Sequence, residues 1–102
     1  MHSLVEQHRS EIEASCRRFH VQRLDLFGSA ATGGFDSATS DVDFLLELEP
    51  LSDAEYVAAW FGLREALEFI LQRPIDLVSA SAVRNPFFRA ELERTRLNLH
   101  AA

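Results

Sequence analysis

Apolar and polar positions change period several times along the 102 residues, and each change marks an element. Leu4, Val5, His8, Ile12, Cys16 and Phe19 recur at spacings of three and four, which predicts an amphipathic helix over residues 3–19. Ser3 and Glu6 have capping-box spacing at its start, and Arg17 and Arg18 suit the negative end of its dipole. Glu6, Gln7, Arg9, Glu13 and Arg17 take the solvated face. Val21–Phe27 reads as a first strand, stopped by Gly28. Ser29 to Thr32 can start a short helix that Gly33 and Gly34 end, and residues 33–40, rich in Gly, Ser and Thr, read as a flexible loop. The period then becomes two: Val42, Phe44, Leu46 and Leu48 alternate with Asp41, Asp43, Leu45 and Glu47, a strand closed by Glu49 and Pro50.

A second capping box, Ser52 to Glu55, opens a long helix over residues 53–71. Its apolar face is wide, running through Tyr56, Val57, Trp60, Phe61, Leu63, Leu67, Ile70 and Leu71. The aromatic group Tyr56, Trp60 and Phe61 reads as core or interface, and a surplus over what a small sheet can cover would mark a partner surface. Arg73 and Pro74 lead into a strand, Ile75-Asp76-Leu77-Val78. Asn85 and Pro86 are an N-cap and a first helical residue for a last helix containing Phe87, Phe88, Leu92 and Thr95 or Arg96. The elements predict an α/β (α+β) fold: a small mixed sheet with helices on one face and acids on the other.

Composition narrows the function classes. The length predicts one domain over residues 1–102, with 47% apolar residues to fill a modest core. A net charge of −6 argues against general binding of a nucleic-acid backbone and points to a nucleotide or a protein. Cys16 is the only cysteine, which excludes an intrachain disulfide and suits a reducing cytoplasm. Its place on the apolar face makes it a core residue. No apolar run approaches a membrane span of ~18 residues, and no signal-peptide pattern is present. His2, His8, His20 and His100 lack metal-ligand spacing. All basic residues are arginine, so no mechanism here uses a lysine.

The chemistry concentrates in residues 26–46, LFGSAATGGFDSATSDVDFLL. In a strand, residues two apart share a face, so Asp41 and Asp43 project side by side. Two such carboxylates repel unless a cation lies between them, and magnesium is the usual partner for oxygen ligands that leave room for phosphate. Two metals ~4 Å apart can clamp a displacement at phosphorus. Gly28 lets the backbone approach a ligand, and Ser29 lies in a first helical turn whose N–H groups suit phosphate oxygens. Asp76 is either a third carboxylate beside this pair or a turn or edge position. Asp25 is expected at an exposed strand position, with support of a metal site as the alternative. Glu47 is expected at the rim, Phe35 as a hydrophobic plug, and Ser40 as a hydrogen-bond partner of Asp41 or of the loop. Arg84, Arg89, Arg94 and Arg96 make the C-terminal end basic; most are expected to be solvated, with one available to a triphosphate or an acidic partner.

A strand, Gly28-Ser29, eleven intervening residues and then Asp41-Val42-Asp43 within a strand resembles the nucleotidyltransferase superfamily of DNA polymerase beta. Within it, the chain resembles the minimal nucleotidyltransferase (MNT) proteins from residue 24 to its C-terminus. The resemblance implies the polymerase-beta-like fold, makes Asp76 the match to the family's third acid, and gives the site as Asp41, Asp43 and Asp76 on two Mg2+ ions (or Mn2+) with Gly28 and Ser29 on the nucleotide. Thr32-Gly33 stands where the family usually has Arg-Gly, which removes a phosphate contact.

The resemblance further implies an antitoxin that transfers AMP from ATP to a tyrosine of a partner HEPN-domain toxin, the two chains forming a hetero-oligomer; cysteine usage, apolar run lengths and charge add the expectation of a cytoplasmic chain with no membrane and no direct nucleic-acid contact. The alternative is a non-catalytic antitoxin that masks a HEPN ribonuclease by binding. Transfer to a small molecule ranks last, because relatives of that kind resemble longer chains with an added acceptor domain.

Overall fold

The computed structural model describes residues 2–33 and 41–102. Strands β1 (Val21–Phe27), β2 (Val42–Leu48), β3 (Ile75–Ser79) and β4 (Leu97–Ala101) form one sheet in the order β3-β2-β1-β4. β1 runs antiparallel to both β2 and β4, while β2 and β3 are parallel. The helices are α1 (Ser3–Gln7), α2 (Arg9–Arg18), α3 (Ser29–Thr32), α4 (Asp53–Leu71) and α5 (Pro86–Thr95), with a 3-10 turn at Ala80–Ala82. The mixed sheet follows from the pattern: two parallel strands need a crossover, and α4 supplies it.

Alternation along the strands builds the core. Leu24, Leu26, Val42, Phe44, Leu46, Ile75 and Leu77 all turn to one face, where Val5, Ile12 and Cys16 of α1 and α2 and Leu63, Leu67 and Leu71 of α4 cover them. The other face carries the acids and a smaller apolar cluster of Phe27, Leu45, Val83 and Leu92, the last from α5. On α4 the capping box forms as expected, with Ser52 Oγ accepting from Glu55 N and Glu55 Oε1 accepting from Ser52 N. Asn85 caps α5, its Oδ1 accepting from the N–H groups of Phe87 and Phe88. Val57, Phe61 and Phe69 remain more than half exposed along α4.

Three local readings are corrected. The N-terminal helix is broken at His8, whose φ of −106° and ψ of 16° lie outside helical values, so α1 and α2 are separate. The cap of α1 is His2, whose Nδ1 accepts from Leu4 N, and Ser3 is already helical. Phe87 lies in α5 as expected and is 85% exposed. Beyond α5 the chain adds the edge strand β4, signalled only by the alternation of Leu97 and Leu99 with Asn98 and His100. The expectations for Gly34, Phe35, Ser40 and the rest of that loop up to Asp41 fall outside the described residues.

The third correction is Asp25, which is fully buried. Its carboxylate accepts from Arg96 Nε at 2.6 Å, Asn98 Nδ2 at 2.9 Å and Arg23 Nε at 3.2 Å. Burial alone would push the carboxyl up, but the hydrogen bonds from Asn98, Arg96 and Arg23 and the Arg96 charge outweigh it and hold it below the ordinary value of 3.8. A depressed carboxyl stabilises the fold fully above its unfolded value and less as pH falls through its folded value. Asp25→Ala strands the inward-facing guanidinium of Arg96, and urea titration at pH 7 is expected to show a loss of about 3 kcal/mol. That loss shrinks below about pH 3.8, where the wild type itself forfeits the interaction.

Candidate active site

The parallel register of β2 and β3 decides which acids meet. Asp43 and Asp76 are direct partners across that pair, so their side chains leave the same face side by side. Asp41 lies two residues before Asp43 on that face, just before β2, and is exposed, as is Asp76; Asp43 is half-buried between them. The Asp43 carboxyl is pushed up to about 6 by burial, by the charges of Asp76 and Asp41, and by a hydrogen bond with Asp76. The three predicted carboxylates are therefore electrostatically one group.

Phe27, the last residue of β1, is the register partner of Asp43 on the opposite side. The backbone then turns at Gly28, with φ +69° and ψ −150°, a conformation L side chains rarely adopt. Space makes the same demand: a Cβ at Gly28 would collide with Oδ2 of Asp43. Gly28 thus lays the main chain directly against the central carboxylate. Ser29 begins α3, whose first turn has no side-chain cap, and Gly33 ends it in the left-handed region. Thr32 is exposed, and its Oγ1 donates to the Gly28 carbonyl at 3.2 Å, so the residue in place of arginine turns its one polar group back on its own helix.

The donor set fits a divalent cation in kind: oxygen ligands only, from carboxylates whose crowding a cation would relieve. Among the described residues, however, no three His, Cys, Asp or Glu side chains stand close enough together to hold a metal ion. Glu47 lies on the acid-bearing face farther along β2 and is exposed, as expected of a rim residue. Cys16 is buried in the core, its thiol pushed up to about 12 by burial, then by the Glu13 charge, against a smaller lowering effect of Arg17. The Asp25 cluster was missed as a unit because its partners lie at positions 96 and 98; the Arg-Leu-Asn-Leu alternation was the one available signal.

The chain matches the family model described as nucleotidyltransferase domain over residues 9–99. It is 29% identical over 76 residues, 74% of each chain, to MJ1379 of Methanocaldococcus jannaschii, a proposed protein adenylyltransferase. A solved structure of a proposed minimal nucleotidyltransferase is 26% identical and superposes with a TM-score of 0.77, covering 95% of both chains. A chain from the complex of a tri-AMPylated Shewanella oneidensis HEPN toxin with an MNT antitoxin superposes with a TM-score of 0.64 at 18% identity, covering 95% of this chain and 72% of that one. A chain from a toxin–antitoxin structure with AMP-PNP gives 0.68 at 20% identity, covering 92% and 73%. At those two identities the likeness is one of fold.

The raised Asp43 carboxyl has a consequence for stability. A group raised in the folded state favours folding fully below its unfolded value, here 3.8, and loses that contribution as pH rises through about 6. In buffer with chelator, the melting temperature of the wild type is expected to fall more between about pH 4 and pH 7 than that of Asp43→Asn. Parallel pH profiles for the two proteins would remove the crowding of acids from the account.

Proposed function

The chain belongs to the nucleotidyltransferase domain family, and we propose that it transfers AMP from ATP to a hydroxyl, a tyrosine of a HEPN-domain toxin, and so acts as that toxin's antitoxin. The observation that carries the reading is the meeting of Asp43 with Asp76 and Asp41 on one face, with the Gly28 main chain against Asp43. The likeness to a proposed protein adenylyltransferase and to chains of HEPN toxin complexes supports the acceptor. Val57, Phe61 and Phe69, exposed on α4, give a partner protein apolar surface to cover.

In this reading Asp41, Asp43 and Asp76 hold two magnesium ions, with manganese as a substitute. When bound, the ions neutralise the triphosphate and polarise it for displacement. Gly28 and Ser29 receive the outgoing pyrophosphate oxygens through the backbone N–H groups of the first turn of α3. Asp76, exposed at the open side of the cluster, accepts the proton of the attacking hydroxyl. The acceptor oxygen attacks the α-phosphorus in line with the departing pyrophosphate, and positioning supplies much of the acceleration. The reaction takes place in the cytoplasm. A second reading, a masking antitoxin without catalysis, is favoured by Thr32, which offers no guanidinium to a phosphate.

Purified protein incubated with α-labelled ATP, magnesium and lysate of its source is expected to label one polypeptide, and Asp41→Asn/Asp43→Asn is expected to abolish the label. Absence of label, with a partner still retained in pull-down, would replace transfer by masking.

A further inference from the structure

On the acid-bearing face, beyond Leu45, lies a cavity of about 430 Å3 that none of the three carboxylates lines. Its polar wall comes from Arg23, Arg89, Arg96, Tyr56, Ser81 and Glu47. Three guanidiniums converge on it; Asp25 and Glu93 offset Arg23 and Arg96, which leaves Arg89 as the cation without a carboxylate partner among the described residues. The arginines are not equivalent. Arg96 is committed to Asp25 and Glu93. Arg23 reaches Asp25 through Nε alone. Arg89 donates from one terminal nitrogen to the Val83 carbonyl at 2.9 Å and, among the described residues, has no carboxylate partner. The buried Asp25 fixes Arg23 and Arg96 in place. The Arg89–Val83 bond does the same for the third guanidinium, so the cationic groups are held before any ligand arrives. The Tyr56 ring is held too, its hydroxyl 2.6 Å from Ser79 Oγ.

We propose that this cavity binds a nucleoside monophosphate group, separately from the metal-binding acids. The volume lies in the range of small-ligand sites. Guanidiniums match phosphate oxygens in charge and fork geometry, and Tyr56 and the guanidinium planes offer flat surfaces for a base. Two sources present that group: free nucleotide, and AMP already esterified to an acceptor. Glu47, exposed at the wall, disfavours a ligand with more negative charge than one phosphate carries.

The test uses the intact chain in chelator, so that binding is read without metal or turnover. Titration with AMP, followed by calorimetry and by amide shifts, is expected to saturate with shifts at Arg23, Ser81 and Arg89. Arg89→Gln, at an exposed position, is expected to weaken binding about tenfold, and Ser81→Glu, which adds a negative charge to the wall, to weaken it at least as much. Asp41→Asn/Asp43→Asn is expected to bind AMP like the wild type, which separates this site from the proposed transfer chemistry. AMP methyl ester distinguishes the sources: competition at similar affinity assigns the site to an esterified AMP, and failure to compete assigns it to the free dianion. No saturable binding at millimolar AMP, or binding lost in the double aspartate variant and kept in Arg89→Gln, would overturn the proposal.

Discussion

Like charges held in register set the terms for this structure. The β2–β3 pairing places Asp43 opposite Asp76, and Asp41 adds a third carboxylate from the same face. Nothing local rewards this arrangement; the rest of the fold has to hold it. The α4 crossover fixes β3 parallel to β2, and the apolar alternates Val42, Phe44, Ile75 and Leu77 lock the register from behind. A slip of one residue would bury the acids and expose the core, so the hydrophobic pattern that stabilises the sheet also aims the carboxylates.

The acid-bearing face uses charge in two opposite ways. At Asp25 a carboxylate is wholly enclosed yet kept ionised, because Arg96, Asn98 and Arg23 surround it. Two residues away in projection, Asp43 is only half-buried yet drawn toward its protonated form, because its neighbours are acids. The first arrangement binds β4 to β1 and contributes to holding the sheet together. The second leaves a deficit of positive charge, which is the condition under which a cation or a proton is taken up.

The parts legible in the sequence were those whose signals are local. Strict alternation identified Val42–Leu48 and placed Asp41 and Asp43 on one face; two capping residues set the start of α4 and of α5. Gly28 was legible as a close-approach position, although the sequence did not say that its neighbour would be the Asp43 carboxylate itself. The misreadings were non-local. An aspartate inside a strand looks exposed until partners 71 and 73 residues away fold onto it. β4 is a short edge strand carrying Asn98 and His100, so its alternation is weak, and the break at His8 interrupts an apolar spacing that continues across it. That Asp76 joins the pair was left open by its own strand pattern and is decided by register.

Cys16 lies beneath the helices with no exposed surface, and its thiol is pushed up to about 12. Almost no thiolate exists there at neutral pH while the chain is folded, and no reagent can reach the sulfur. Alkylation of this one native thiol therefore counts openings of the core: its rate is a clock for local and global unfolding, read without any added label. The same silence leaves a cysteine introduced at the surface as the sole reactive group of the folded protein.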